Sequence, residues 1–206
     1  MARYIGRENV RKRLEPHQGS SGRTTYEGGA VTIELPDETL TLRPPFGLAH
    51  EGSYETVELG PLFEALAEDH VVAALLVRMG GFAVGVFEGE RLIASKVGSR
   101  FVKGRHKKGG SSANRFRRRR QEQERALIEA AADTAAQVLE PWRDRVEYAA
   151  FGGDRRASSQ VAADPRLAWL AERALPRFFT TPDPRFRELE RLPYELYAAE
   201  MAEGAR

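Results

Sequence analysis

The chain has 206 residues, of which 41% are apolar and 9% aromatic, no cysteine, and a formal charge of +2. That composition fits one large globular domain, or a domain with a small appendage, and excludes a disulfide framework and a thiolate metal site. No apolar run reaches the ~18 residues of a membrane helix and the N-terminus lacks a signal-peptide core, so a cytoplasmic protein with no membrane partner is expected.

In chain order, Glu8–Leu14 is predicted to be a short helix stopped by Pro16. Gln18–Gly29, rich in Gly, Ser and Thr, is predicted to be a mobile loop. Val31–Leu35 and Leu40–Arg43 alternate in polarity, and Pro36-Asp-Glu-Thr39 between them predicts a hairpin. Residues 1–50 are therefore set apart as an N-terminal extension, with 51–206 as the main domain. Leu59–Leu66 is expected to be helical. Val71–Val77 is a continuous apolar run of the kind found in central strands. The turns Met79-Gly-Gly81 and Glu88-Gly-Glu90 separate it from two further strands, Phe82–Phe87 and Arg91–Val97, giving a three-strand meander. Gly98–Arg115 reads as a long loop, and loops of that length inside a compact domain are often functional.

Residues 116–140 read as one helix ended by Pro141, with Leu127, Ala131, Thr134 and Val138 facing the core. Its first half, Arg117–Arg125, has no apolar residue and should project from the body. Phe116 should pack at its base. Val146–Phe151 is a strand, Leu167–Leu175 a helix, Arg177–Thr180 a short strand, and Phe186–Met201 a last helix. This order implies an α/β (α+β) fold, a mixed sheet flanked by helices.

The small net charge conceals an asymmetry. Between Glu90 and Glu122 there is no acid, yet that stretch holds 12 of the 32 Lys and Arg, which leaves 20 basic against 30 acidic residues elsewhere. A single basic segment on an acidic body points to a polyanion partner. A solvated charge run would look similar, but this one lies between a strand pattern and a helix pattern. From Gly98 to Gly109 the chain could extend at most ~36 Å, far enough to enter a deep RNA cavity.

Other chemistries find less support. His17, His50, His70 and His106 are scattered, without metal spacing, so no metal and no cofactor are expected. Gly104-Arg-His-Lys-Lys-Gly-Gly-Ser111 resembles a P-loop, but Gly110 stands where that motif needs lysine. Ser111 and Ser112 lack the Gly-x-Ser-x-Gly elbow. Catalysis by paired carboxylates stays open.

The run Lys103-Gly-Arg-His-Lys-Lys-Gly-Gly-Ser-Ser-Ala-Asn-Arg-Phe-Arg-Arg-Arg-Arg120 resembles the catalytic loop and following helix of the eukaryotic and archaeal class-1 peptide release factors. It is closer still to their relatives, the Vms-like release factors. The glycines, Ser112-Ala113 and Arg115-Phe116 fall in register, as do Phe151-Gly-Gly153 and Phe178-Phe-Thr-Thr181, so the resemblance spans about Val71 to Ala199. It implies a peptidyl-tRNA hydrolase, a carboxylic ester hydrolase of ribosome rescue and quality control. Gly109, Gly110, Ser111 and Ser112 would be its catalytic residues. Lys103, Arg105, His106, Lys107, Lys108, Arg115, Arg117, Arg118, Arg119 and Arg120 would hold RNA. The implied partners are large-subunit rRNA and peptidyl-tRNA, and the implied state is a monomer acting independently of a codon. In this register the family's glutamine, which positions the attacking water, falls on Ser111. Two alternatives stand beside this reading: a non-catalytic rRNA- and tRNA-binding factor that occupies the peptidyl-transferase centre, and a metal-dependent nuclease built on clustered carboxylates.

Overall fold

A computed structural model describes residues 3–100 and 113–205. The chain starts with β1 (Arg3–Gly6), α1 (Arg7–Leu14), β2 (Ser21–Glu27), β3 (Ala30–Glu34), β4 (Glu38–Arg43), β5 (Gly52–Thr56) and α2 (Gly60–Ala67). It continues with β6 (Val71–Arg78), β7 (Gly81–Glu88), β8 (Arg91–Ser99) and the long α3 (Ala113–Leu139). β9 (Tyr148–Gly153), α4 (Arg155–Ala162), α5 (Trp169–Glu172), β10 (Ala174–Phe179), α6 (Phe186–Leu196) and β11 (Ala198–Ala205) complete it. The chain is a mixed α/β protein with two sheets. Contacts divide it into two compact units, Met1–Asp69 with Pro193–Arg206, and His70–Leu192. The sequence reading placed its boundary at residue 50; β5 pairs with β2, and Leu59, Leu62 and Leu66 join the first unit's core, which carries that unit on to Asp69.

The first unit is a six-stranded sheet in the order β1-β11-β4-β3-β2-β5. The expected hairpin is present, with Val31 opposite Leu42 and Ile33 opposite Leu40. Its apolar positions are buried with Val10 and Leu14 of α1, which lie one helical turn apart. Two expectations fail here. Ser21–Glu27 is a strand, not a loop: Thr24 and Tyr26 alternate inward, and β3 and β5 pair with it on its two sides. Tyr26 donates from its hydroxyl to the Glu58 carbonyl at 2.7 Å, which satisfies its one buried polar group, and burial pushes the phenol up to about 12. The last helix ends at Leu196, and Ala198–Ala205 is a strand between β1 and β4. The Ala-rich stretch has good helix propensity, but sheet pairing on both sides overrides it.

The second unit is a five-stranded sheet in the order β10-β9-β6-β7-β8. The meander β6-β7-β8 is antiparallel, as expected, while β9 and β10 run parallel to β6. Each parallel connection passes through helices, α3 before β9 and α4 with α5 before β10. The expected helix Leu167–Leu175 is shorter than anticipated: α5 ends at Glu172 and Ala174 opens β10. Helix α4 had not been anticipated; the Asp154 carboxylate caps it by accepting the Ala157 N–H at 2.8 Å. Leu127, Ala131, Ala135 and Leu139 of α3, four residues apart, are fully buried in one core with Val77, Val84 and Val86. Thr134 and Val138, expected in that row, are half-buried beside it.

Candidate nucleic-acid interface

The basic segment leaves the second unit at one edge of its sheet. Arg100 donates its N–H to the Gly80 carbonyl at 3.1 Å, and Ser99 is opposite Gly81, so the end of β8 is tied to the start of β7. Gly98 must be glycine, since a Cβ there would overlap the Phe82 ring. The same edge receives the ends of the other three strands. Asp154 donates its N–H to the Val77 carbonyl at 2.7 Å, which joins the end of β9 to that of β6. Gly153 has φ +92° and no room for a Cβ against the same carbonyl. Gly152 is similarly crowded, a Cβ there lying 2.6 Å from the Phe179 carbonyl oxygen. Arg78 donates to the Thr181 carbonyl at 2.8 Å and to that of Pro182, holding the segment beyond β10 against β6. The Phe151-Gly-Gly153 and Phe178-Phe-Thr-Thr181 runs are thus where three parallel strands close on one another.

From Ala113 the chain continues as α3, 27 residues and ~40 Å long. No residue from Asn114 to Arg125 is buried, and core packing begins only at Leu127. The expected projection of this half is what the burial shows. Arg115, Arg117, Arg118 and Arg119 are exposed on it. Arg117 bonds Asn114 Oδ1 at 2.8 Å, and Arg120 is half-buried in an ion pair with Glu124 at 2.7 Å. Phe116, expected to pack at the helix base, is 41% exposed. There is no acid in the first turn. Cations at the positive end of a helix dipole are disfavoured by about 0.3–1 kcal/mol each. Arg115 in the first turn therefore works against helix stability, an effect that a bound polyanion would offset.

Gly109, Gly110, Ser111 and Ser112, and Lys103, Arg105, His106, Lys107 and Lys108, lie outside the described residues. Among the described residues, no cluster of three His, Asp or Glu could hold a metal, and no helix is long and apolar enough to cross a membrane.

A model of the Actinobacteria/chloroflexi VLRF1 release factor matches residues 70–202, nearly two-thirds of the chain. The chain belongs to this family. The match takes in the whole second unit, the basic segment and most of β11. No curated protein matches the chain. Among solved structures, the archaeal translation termination factor aRF1 superposes with a TM-score of 0.47 at 14% identity, over 92% of this chain and 54% of that one. The Vms1 mitochondrial localization core superposes with a TM-score of 0.44 at 14% identity, over 94% and 80%. The chain thus spans about half the length of the archaeal factor it matches.

The sequence reading located the basic segment but missed basic residues at the same edge. Arg78, Arg155, Arg156 and Arg187 are all exposed there or on the segment that follows β10. They are too far apart in the chain to register as a charge run. The one local signal was Asp154, a helix cap directly before an arginine pair.

Proposed function

We propose that this release factor frees nascent peptide by hydrolysing the peptidyl-tRNA ester on stalled ribosomes or large subunits, independently of a codon. The observation that supports it is the acid-free basic segment, which joins one edge of the sheet to an exposed arginine-bearing half-helix in a chain of a release factor family. In this reading Gly109 and Gly110 let the backbone approach RNA closely. The Ser111 N–H faces the oxygen on which negative charge develops. Water attacks the ester carbonyl carbon, the bond from that carbon to the ribose oxygen breaks, and the proton passes to the ribose, leaving a free peptide and an intact tRNA. Lys103, Arg105, His106, Lys107, Lys108, Arg115 and Arg117–Arg120 hold rRNA and the tRNA end by phosphate neutralisation. Much of the rate would come from orientation inside the RNA cavity.

Serine at position 111, where the resemblance to class-1 release factors would place glutamine, favours a second reading, occupancy of the same cavity without catalysis. Purified protein incubated with ribosome-bound peptidyl-tRNA decides between the two. Freed peptide with intact tRNA supports hydrolysis, tight binding with no product supports occupancy, and cleaved RNA would overturn both in favour of a nuclease.

A further inference from the structure

We infer that the sheet edge from which the basic segment departs is a second RNA-contacting surface, built from arginines remote in sequence: Arg78, Arg155, Arg156 and Arg187. The inference rests on the proposed ribosomal partner. Backbone bonds bring the parts together. β6 ends in Arg78, whose guanidinium holds the Thr181 and Pro182 carbonyls. Asp154, next to Arg155, bonds the carbonyl of Val77, the residue before Arg78. On the other side, a Cβ at Gly81 would lie 3.8 Å from Asp183 Oδ1 and 3.9 Å from the Pro184 carbonyl oxygen, which puts the start of α6, with Arg187, beside the start of β7.

Several arginines elsewhere on the surface are neutralised by carboxylates. Arg13 pairs with Glu38 and Glu203, Arg23 with Glu55, Arg145 with Glu88, and Arg166 with Asp133 and Asp164. Among the described residues, no ion pair joins Arg78, Arg155, Arg156 or Arg187 to a carboxylate. Of the nearby acids, Asp154 is engaged as a helix cap and Asp183 pairs with Arg185 at 2.8 Å. Arg155 lies with its guanidinium carbon 4.4 Å from the centroid of the Phe178 ring. Stacking of this kind fixes the plane of the guanidinium while leaving its N–H groups for an acceptor. An exposed, unneutralised guanidinium of fixed orientation, as at Arg155, suits phosphodiester oxygens, which take paired N–H donors. The outer edge would then grip RNA backbone at the mouth of the cavity while the basic segment occupies its interior.

The test is the salt dependence of binding to purified large ribosomal subunits carrying peptidyl-tRNA, with peptide release followed in parallel. The double variant Arg155→Gln, Arg156→Gln should bind more weakly, with a log–log slope shallower by about 1–2 if both arginines meet phosphates. Arg155→Lys, Arg156→Lys should restore the slope, and Arg23→Gln, in the other unit, should leave it unchanged. A slope unchanged by the Gln pair but flattened by Gln at 117–120 would overturn the inference and leave the proposed function standing. Weaker binding by the Gln pair at an unchanged slope would also overturn it, as the mark of a protein contact. If the native protein binds with the expected slopes and releases no peptide, hydrolysis is rejected and this surface stands. If it does not bind at all, both are rejected.

Discussion

Gly98 and Gly153 occupy positions where one added carbon has nowhere to go. At Gly98 the obstacle is the Phe82 ring, itself buried, and at Gly153 it is the Val77 carbonyl together with φ of +92°. Gly98→Ala should destabilise by about 1–3 kcal/mol, the usual penalty of overpacking. Because the obstacle is a side chain, Phe82→Leu in the same chain should recover part of that loss in urea melts; strict additivity would show that the ring is not the cause. Gly153→Ala meets backbone, so no neighbouring substitution should rescue it. Asp164 gives a pH-dependent case. Its bond to the Arg166 side chain, helped by the Arg166 N–H and charge and opposed by partial burial, lowers its pKa from 3.8 to about 2. A group more acidic when folded adds stability above its unfolded pKa and loses it as pH falls through the folded one. Asp164→Asn should therefore flatten the decline of stability between about pH 4 and pH 2; an unaltered decline would mean that the Arg166 pair does not contribute. At Ser111 the proposed chemistry predicts that Ser111→Ala keeps its N–H and loses less than about tenfold in peptide release, while Ser111→Pro loses nearly all of it. Equal losses in both would assign the effect to the hydroxyl.

Helix α3 shows two sets of constraints on one element. From Leu127 onward its residues are chosen by the core, and Leu127→Ala should cost about 2–5 kcal/mol. Before Leu127 the core does not choose them, and Arg115 in the first turn opposes the helix dipole. Arg115→Gln should raise stability by about 0.3–1 kcal/mol by removing a cation from the positive end of the dipole, while weakening ribosome binding. A loss of stability instead would show that the dipole argument does not govern this end. The contrast also explains which elements were legible. The β6-β7-β8 meander could be read because Gly80-Gly81 and Gly89 place its turns locally and its strands are neighbours in sequence. β2 could not, because Ser21–Glu27 becomes a strand only through β3 and β5, and nothing within the segment announces either. β11 failed for the same reason in stronger form, since one of its partners, β1, lies at the other end of the chain. The basic segment was visible as a run of charge; Arg78, Arg155 and Arg187 assemble only when four strands end, and β7 begins, at one edge.

Across the whole molecule, the 20 basic and 30 acidic residues outside the segment between Glu90 and Glu122 make the protein polar in the electrical sense. The acidic remainder should be repelled by RNA, which favours approach with the basic segment leading. The two units also differ in how the chain builds them. The second is continuous from His70 to Leu192, whereas the first needs residues from both ends. Removal of residues 198–206 takes out the strand between β1 and β4. In hydrogen exchange the β3 and β4 amides should then lose protection while β6 and β7 retain theirs. Equal loss in both sheets would mean that the units fold as one.

The position of β11 has a consequence for synthesis of the protein. Chains emerge from the ribosome N-terminus first, at about 5–20 residues per second. The first unit begins to appear before the second yet cannot close its sheet until Ala198–Ala205 is made, on the order of ten seconds after Asp69. During that interval the edge of β4 that will receive β11 stays open, and open strand edges invite pairing with other chains. A factor proposed to act on stalled ribosomes would thus be most vulnerable to aggregation while its own translation is incomplete. Nascent chains arrested short of residue 198 should be digested by protease within β3 and β4, and those arrested well past residue 206 through an added linker should resist.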